Sequence, residues 1–183
     1  MKDILKIENF LPQDYSDKLL SIVTDDINFP WFYNESIVEN QKDLFGFSHV
    51  LFVDGYQNSP FFPEFIEFFS HMENRFNIKI KNLIRARIRM TTSVGKKGIY
   101  ENNMHVDYRY PNTTFVYYLN DSDGDTVLFD KFYDEDTLDA KEIERVAPVK
   151  NNGVMFDGLR YHSGAMPSSG RRLILNINFE KED

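Results

Sequence analysis

The feature that most constrains the fold is an alternation of apolar and other residues with a period of two. Residues 84–90 alternate isoleucine, alanine and methionine with arginines, and residues 172–179 place leucine, isoleucine or phenylalanine at every second position. Successive side chains of a strand point to opposite faces, so both segments are predicted to be half-buried strands. The segments 114–119, 126–129 and 154–156 are also rich in β-branched, apolar and aromatic residues and lie beside turn residues. Many short strands of this kind predict a β-sandwich or barrel.

The first part of the chain is predicted to be mainly helical. Apolar residues after Pro12 have the spacing of a short amphipathic helix, and a clearer helix is predicted over about residues 63–76. We therefore predict one domain over residues 1–183 that is mainly β with N-terminal helices. Residues 1–80 would form a helical support region, and residues 84–180 the β core.

Composition excludes several classes of protein. A chain of 183 residues can bury one substantial core. The net charge of −8 argues against a protein that tracks nucleic-acid phosphates. No apolar run approaches the length needed to cross a bilayer, and residues 1–8 interrupt their apolar positions with charges, so we expect neither a membrane span nor a secretory signal. The absence of cysteine excludes thiolate metal sites and is consistent with a reducing cytoplasm, where we expect the protein to act. A transition-metal site must therefore use His, Asp or Glu, and the chain has four histidines.

Two of these histidines and an aspartate form a candidate metal site. His105 and Asp107 are two residues apart, so in an extended segment both side chains point to the same side. His162 follows the strand predicted at 154–156. Two histidines and one carboxylate form the facial triad that holds non-haem Fe(II) and leaves coordination positions open. A His-x-Asp pair alone is also compatible with an exposed turn, and the distal histidine strengthens the prediction of a metal site.

A pair of arginines follows the distal histidine. Arg171 and Arg172 lie nine and ten residues after His162 and open the last predicted strand. A guanidinium binds a carboxylate through two parallel hydrogen bonds, which suits a dicarboxylic co-substrate. Both arginines are candidates for this anchor. The alternation favours Arg172, because it lies opposite the apolar face of Leu173 and would point into a polar lumen.

Together these residues resemble the 2-oxoglutarate/Fe(II) dioxygenases, and in particular the prolyl-4-hydroxylase-like branch with its phage-encoded members. The strand at 114–120 is similar to the Tyr-Tyr-Leu-Asn strand that follows His-x-Asp in that branch. Gly124-Asp125-Thr126 resembles its Gly-Glu-Thr turn, with aspartate in place of glutamate, and 153–157 resembles the strand that leads to the distal histidine. The likeness covers about residues 84–180.

The resemblance implies a double-stranded β-helix, or jelly roll, with Fe(II) held by His105, Asp107 and His162. It implies 2-oxoglutarate and O2 as co-substrates, with ascorbate as a reductant, and coupling of 2-oxoglutarate decarboxylation to hydroxylation of a substrate. Arg172 would bind the distal carboxylate of 2-oxoglutarate with help from the Tyr118 hydroxyl. Related halogenases lack the carboxylate ligand, so the presence of Asp107 favours hydroxylation.

The same resemblance implies the kind of substrate. A protein or peptide side chain, proline first, is expected as the substrate, with a small molecule as the other candidate. A nucleobase is disfavoured by the acidic balance of the chain. For a phage-encoded member the location would be the host cytoplasm, and nothing predicts the oligomeric state.

Other functions remain open at this point. A cupin-type metal-binding protein without oxygenase activity, or a zinc hydrolase, can use the same ligands. A structural jelly roll with a coincidental triad is a third possibility. The arginine after the distal histidine argues against a hydrolase, which has no need of a dicarboxylate anchor. The sequence is equally compatible with Tyr118 as a core residue whose hydroxyl forms a hydrogen bond within the fold.

Several polar residues are predicted to have no catalytic role. His49 is expected to be a strand residue with its ring nitrogens satisfied, and His71 to lie on the solvated face of its helix. Arg85, Arg87 and Arg89 are expected to form a solvated strand face, although a substrate groove is the alternative.

Two loops also invite interpretation. Residues 121–125 contain three aspartates but fail the EF-hand test, since positions six and twelve would be Thr126 and Phe132, so we predict a hairpin turn. Residues 91–103 combine glycines and lysines just before the metal motif, which is compatible with a lid or with an ordinary connecting loop.

Overall fold

Antiparallel strands dominate the protein, as the alternating pattern predicts. The computed structural model describes residues 4–36, 45–93 and 104–182. Within these ranges the strands, numbered in chain order, are β1 (Leu5–Ile7), β2 (Phe32–Asn34), β3 (Gly46–Val53), β4 (Tyr56–Gln57), β5 (Ile80–Thr92), β6 (Thr113–Tyr118), β7 (Thr126–Phe132), β8 (Glu142–Val146), β9 (Gly153–Asp157), β10 (Arg160–Gly164) and β11 (Arg171–Lys181).

The strands form two antiparallel sheets that together make a jelly roll. The larger sheet has eight strands, in the order β1-β9-β6-β11-β5-β3-β2 with β4 paired to β3. The smaller sheet has the order β10-β7-β8. The chain therefore crosses from the larger to the smaller sheet between β6 and β7, and again between β9 and β10. These crossings place the segment that carries His162 in the smaller sheet and the strand that carries Arg172 in the larger one.

Both predicted helices are confirmed. Helix α1 spans Gln13–Thr24, and helix α2 spans Ile66–Phe76 after a short 3₁₀ turn at Phe62–Phe65. Asn77 follows the last residue of α2, and its φ of 50° lies in the left-handed region that asparagine tolerates better than most residues. In the described part of the chain no helix combines the length and apolar character that a membrane crossing requires.

The helices cover one face of the larger sheet. An apolar cluster, called here the outer core, fills the space between them, and its members include Phe10, Leu19, Phe68, Met72, Phe115, Tyr117, Leu175 and Ile177. Tyr15 of α1 ties the two helices together. Its hydroxyl donates to the Glu64 carbonyl oxygen at 2.9 Å and accepts a hydrogen bond from the Phe68 N–H at 3.1 Å.

The other face of the larger sheet lines the space between the two sheets. A second cluster, the inner core, lies there and consists of Val116, Tyr118, Leu128, Val154, Phe156 and Ile174. Strand β11 shows how the alternation divides the two spaces. Leu173 and Leu175 belong to the outer core, whereas Arg172 and Asn176 line a cavity between the sheets. The predicted orientation of Arg172 away from the apolar face is therefore confirmed.

The description of residues 1–80 as a helical support region is incomplete. Strand β1 pairs with β9, and β3 pairs with β5 and carries β2 and β4 at the edge of the larger sheet. Strand β3 is buried along much of its length, so its apolar residues are not confined to every second position. This strand therefore lacks the alternation by which the other strands were predicted.

The prediction of a hairpin turn at residues 121–125 is wrong. The segment joins β6 and β7, which belong to different sheets and do not pair with each other. Its aspartates hold neighbouring loops instead. Asp121 accepts a hydrogen bond from the Lys150 N–H at 2.7 Å, and Asp123 accepts one from the Ser168 N–H at 2.8 Å.

Candidate metal centre

The backbone holds the two candidate histidine ligands side by side. His105 and His162 form an isolated antiparallel bridge, in which each N–H donates to the carbonyl oxygen of the other residue at 3.0 Å. Their ring centroids are 4.6 Å apart. Strand β10 thus pairs with β7 along one edge and with His105 along the other. This pairing brings together two histidines that are far apart in the sequence.

Asp107 completes a group of three donor side chains. The candidate ligand atoms of His105, Asp107 and His162 all lie within 4.8 Å of one another. The distance between His162 Nε2 and Asp107 Oδ2 is 4.0 Å. Bonds from a transition metal to nitrogen or oxygen are about 2 Å long, which puts facial donors about 3 Å apart, so these side chains must draw together by about 1–2 Å to bind one ion. The structure brings all three predicted ligands together.

The carboxylate of Asp107 is ionised and fixed in orientation by four side chains. Arg85 Nη2 lies 2.8 Å from Oδ1, and Arg87 Nη2 lies 3.8 Å from the same oxygen. Asn176 and Asn178 each donate a side-chain N–H to Oδ2, at 3.0 and 3.1 Å. The Asp107 side chain is only 4% exposed, and burial alone would raise its pKa. The neighbouring positive charges, Arg85 first among them, instead lower the pKa of Asp107 well below its usual value.

His162 is prepared to bind a metal through Nε2. Its Nδ1 lies 3.1 Å from the Arg160 carbonyl oxygen, so the proton belongs on Nδ1 and Nε2 keeps its lone pair. Burial lowers the pKa of His162, and the charge of Asp107 opposes this effect. The Phe156 ring packs against the imidazole with a centroid distance of 5.0 Å. These contacts favour a neutral imidazole in a fixed orientation.

Arg172 is buried near the candidate metal ligands, whereas Arg171 is exposed. Arg172 is 6% exposed, and its Nη2 donates to Thr126 Oγ1 at 2.8 Å. Its Nε has no hydrogen-bond partner among the described residues. Burial lowers the pKa of the Arg172 guanidinium. Arg171 points to solvent in the register Arg171↔Thr92 of the larger sheet. Of the two candidate anchors, Arg172 is therefore the one placed beside the predicted ligands.

Two glycines make room for the Arg172 side chain. A Cβ at Gly164 would lie 3.3 Å from Arg172 Nη1, and a Cβ at Gly124 would lie 3.0 Å from Arg172 Cδ. The Cβ at Gly124 would also lie 2.5 Å from the Ala165 carbonyl oxygen, which is shorter than van der Waals contact permits. This close approach explains the glycine in the Gly124-Asp125-Thr126 turn.

The arginine and the two histidines line one cavity between the sheets. Its other walls include Arg89, Thr91, Val116, Thr126, Ile174 and Asn176. Three polar atoms on these walls have no hydrogen-bond partner in the described part of the chain: Arg172 Nε, Thr91 Oγ1 and Asn176 Oδ1. Buried polar atoms are normally paired, so these three atoms can form hydrogen bonds with a polar molecule or with water in the cavity.

Tyr118 contacts this region through Thr126. Its hydroxyl donates to Thr126 Oγ1 at 2.8 Å, so the threonine oxygen accepts from both Tyr118 and Arg172. Burial raises the pKa of Tyr118 to about 12, although the charge of Arg172 opposes the rise. The tyrosine is fully buried in the inner core. In this arrangement it positions Thr126, and an effect of Tyr118 on a bound ligand would pass through that residue.

The arginines of β5 belong to the site, and the prediction of a solvated strand face is wrong. The Arg85 and Arg87 side chains are 14% and 20% exposed, and Arg89 lines the cavity. Burial lowers the pKa of Arg89 to about 10. The antiparallel register of β5 and β11 sets Arg87 beside Asn176. The arginines of β5 therefore lie on the same face of the sheet as Arg172, a relation that depends on how the two strands pair. Alternation alone could not show whether this polar face meets solvent or a cavity.

The remaining histidines lie outside the centre. His49 is a satisfied strand residue, as predicted, with Nδ1 2.7 Å from the Pro30 carbonyl oxygen and Nε2 2.6 Å from Ser59 Oγ. His71 lies on α2 with its Nε2 3.4 Å from a Glu67 carboxylate oxygen. The loop prediction for 91–103 falls mostly on residues 94–103, which lie outside the described residues.

Comparison with known proteins identifies the fold. No protein-family model matches the sequence, and a search of curated proteins finds no match. Solved structures are similar, among them an oxidoreductase of the 2OG-Fe(II) oxygenase family from Burkholderia pseudomallei, with a TM-score of 0.70 at 10% identity over 97% of this chain and 84% of that chain. The fold is that of the 2-oxoglutarate/Fe(II) oxygenases. The predicted jelly roll is thereby confirmed.

Two further structures of this fold carry ligands. A prolyl hydroxylase from Trichoplax adhaerens, in complex with a peptide fragment of the hypoxia inducible factor oxygen degradation domain, has a TM-score of 0.63 at 14% identity, over 96% of this chain and 82% of that chain. The epimerase SnoN, in complex with Fe3+, alpha ketoglutarate and nogalamycin RO, has a TM-score of 0.65 at 12% identity, over 97% of this chain and 78% of that chain. The fold therefore accommodates both peptide and small-molecule ligands.

Proposed function

We propose that this chain is a non-haem Fe(II), 2-oxoglutarate-dependent dioxygenase that hydroxylates its substrate, of the prolyl-4-hydroxylase-like type. The observation that carries the proposal is the meeting of two features at one cavity. One is the donor set of His105, Asp107 and His162, and the other is the buried Arg172 with its unpartnered Nε. A metal explains the first feature, and a carboxylate ligand explains the second.

The residues of the triad fit Fe(II). They offer two imidazoles and one ionised carboxylate, and the bond from His162 Nδ1 toward the Arg160 carbonyl oxygen leaves Nε2 free for a metal. Three protein ligands leave the remaining positions of an octahedron for a chelating 2-oxo acid and O2. Asn176 and Asn178 hold Asp107 Oδ2 in place, and outer contacts of this kind orient metal ligands.

The surroundings of Arg172 fit the distal carboxylate of 2-oxoglutarate. A guanidinium whose Nε has no partner among the described residues can bind a carboxylate through two parallel hydrogen bonds. Thr126 Oγ1 lies 2.8 Å from Arg172 Nη2 and can add a hydroxyl contact to the same carboxylate. We assign Tyr118 a supporting role through Thr126.

The proposed reaction follows from this arrangement. Bound Fe(II) would supply the O2-dependent decarboxylation of 2-oxoglutarate to succinate and CO2, coupled to conversion of a substrate C–H bond to C–OH. The chain's own residues hold the metal, anchor the co-substrate and exclude water from the space between the sheets. Ascorbate is the proposed reductant that keeps iron in the ferrous state.

The substrate is proposed to be a protein or peptide side chain or a small molecule, by analogy with the ligands of the two similar structures. The absence of cysteine supports a cytoplasmic location.

A zinc hydrolase or a cupin-type binding protein accounts for less of the site. Both can use two histidines and an aspartate. Neither gives a reason for a buried arginine beside the ligands with an unpartnered N–H. Burial of an unpaired cation is costly, so a ligand that pairs with Arg172 is the simpler explanation.

The proposal is tested by anaerobic titration of the metal-free protein with Fe(II) and then with 2-oxoglutarate. The readout is the weak visible charge-transfer band of an Fe(II)–2-oxoglutarate chelate. Two variants remove site residues, His105→Ala and Arg172→Ala. Two matched controls, His71→Ala and Arg171→Ala, remove the same residue types outside the cavity.

We expect the band in the wild type and in both controls, and its loss or large weakening in both site variants. The mixture should also form succinate when O2 and a substrate are supplied. If the wild type binds iron without developing the band on addition of 2-oxoglutarate, the oxygenase proposal fails and the non-oxygenase cupin becomes the better explanation. Loss of the band in a control variant would point to general unfolding, which circular dichroism would reveal.

A further inference from the structure

The candidate site carries more positive than negative charge. Four arginines contact or line it: Arg85, Arg87, Arg89 and Arg172. Arg85 and Arg87 both contact the carboxylate of Asp107. Asp125 acts on Arg172 from a greater distance but is also paired with Arg145 at 3.4 Å. This local excess stands out in a chain whose net charge is −8.

The proposed metal and co-substrate do not remove this excess. Fe(II) and doubly ionised 2-oxoglutarate carry equal and opposite charges, so their joint binding leaves the balance of the site unchanged. Arg172 would be neutralised by the distal carboxylate, but Arg85 and Arg87 would still share the single carboxylate of Asp107. A further anion at the site would therefore be favoured by the electrostatics.

Arg87 is the best placed of these arginines to receive that anion. Arg85 Nη2 is already engaged by Asp107 Oδ1 at 2.8 Å and donates to Asn178 Oδ1 at 2.9 Å. Arg87 Nη2 reaches Asp107 Oδ1 at 3.8 Å, which is too long for a hydrogen bond. Among the described residues neither Arg85 Nε nor Arg87 Nε has a hydrogen-bond partner, but the Arg87 side chain is the more exposed of the two, at 20% against 14%. Burial, followed by the charges of Arg89 and Arg85, lowers the pKa of Arg87 well below its usual value.

Two tyrosine rings lie beside Arg85, and the second of them is exposed to solvent. The Arg85 guanidinium carbon lies 5.0 Å from the centroid of the Tyr108 ring. Tyr108 is followed at 5.2 Å by the ring of Tyr110, which is 42% exposed. Arg85 is therefore in contact with a pair of tyrosine rings, the second of which is exposed at the protein surface.

We propose that Arg87 binds an anionic group, a carboxylate or phosphate, on the primary substrate. Arg87 lies next to Asp107, which is a proposed metal ligand, so the anionic group lies close to the metal. The carbon that is oxidised therefore belongs to the same small molecule, or to the same amino-acid residue, as the anionic group. The substrate class is therefore an acidic metabolite or an acidic residue of a peptide. This inference rests on the proposed function and adds the chemistry of the substrate to it.

The test measures binding of defined anions by isothermal titration calorimetry. The protein is loaded with Mn(II), which replaces Fe(II) without supporting turnover, and with saturating 2-oxoglutarate. The probes are inorganic phosphate, the pair L-aspartate and L-asparagine, and a pair of capped tripeptides with Asp or Asn at the centre. The variants are Arg87→Gln and Arg87→Lys, with the exposed Arg171→Gln as a matched control.

We expect the wild type to bind phosphate and at least one acid about tenfold more tightly than the matched amide. Arg87→Gln should weaken anion binding by about tenfold, Arg87→Lys should retain most of it, and Arg171→Gln should leave it unchanged. Tighter binding of the free acid indicates a metabolite, and tighter binding of the peptide indicates an acidic residue in a protein.

Three results would overturn the inference. These are no anion binding by the wild type, equal affinity for acid and amide, or the same loss in the Arg87 and Arg171 variants. The Fe(II)–2-oxoglutarate band of Arg87→Gln serves as a check, since its loss would show that Arg87 only supports Asp107. If the wild type itself lacks the band, the proposed function fails, and phosphate binding to metal-free wild type and Arg87→Gln still decides whether Arg87 is an anion site.

Discussion

Replacement of Arg172 with methionine separates the contribution of this side chain to folding from its contribution to ligand binding. Methionine keeps an unbranched apolar stem and removes the guanidinium. The guanidinium is buried, with Nη2 donating to Thr126 Oγ1 at 2.8 Å and Nε without a partner in the described part of the chain. The substitution therefore removes one hydrogen bond together with one unpaired buried N–H and a buried charge.

The two effects of this change should differ strongly in size. The lost hydrogen bond contributes about 1 kcal/mol to folding, and the unpaired donor costs about 1–3 kcal/mol. The free energy of unfolding of the ligand-free protein should therefore rise by less than about 2 kcal/mol. Binding of 2-oxoglutarate would lose two charge-assisted hydrogen bonds of about 1.5–3 kcal/mol each. The dissociation constant should therefore rise by more than about 100-fold.

Two measurements on the same variant test this reasoning. Urea unfolding of the metal-free protein gives the change in stability, and anaerobic titration of the Fe(II)-loaded protein with 2-oxoglutarate gives the change in affinity. Arg171→Met, on the exposed neighbour, is the control for both. A loss of more than about 3 kcal/mol in the free energy of unfolding, with 2-oxoglutarate affinity unchanged, would show that Arg172 is a structural residue and refute the assignment.

Three further predictions concern single residues. Tyr118→Phe should weaken 2-oxoglutarate binding by no more than about fivefold, because the hydroxyl acts through Thr126; a loss near 100-fold in the same titration would indicate direct contact. Asn178→Ala should lower metal affinity by about 10–100-fold, because a hydrogen-bond donor to Asp107 Oδ2 is lost. Competition with a chelator measures this affinity, and an unchanged value would contradict the role of Asn178. Burial lowers the pKa of His49, so as the pH falls below about 6.5 the unfolded state takes up the proton first and stability decreases. Urea unfolding at pH 7 and pH 5 should show this decrease, and His49→Gln should reduce it; an equal decrease in the variant would exclude His49 as a cause.

Local periodicity and composition were sufficient to predict five of the eleven described strands, β5, β6, β7, β9 and β11, and part of the candidate site. The alternation in 172–179 placed Arg172 on the face opposite Leu173, and the spacing of His105 and Asp107 placed both side chains on one side of an extended segment. These predictions depend on the conformation of a few consecutive residues, which is why they could be made without knowledge of the rest of the chain.

The tertiary structure decided which of these local features meet. The bridge between His105 and His162 depends on the crossing of the chain between the two sheets, and no local pattern encodes that crossing. The arginines of β5 show the same limit. A strand with one polar face looks identical in sequence whether that face meets water or a closed cavity. Only the packing of the two sheets over β5 and β11 removes Arg85 and Arg87 from most of the solvent and brings them to the carboxylate of Asp107.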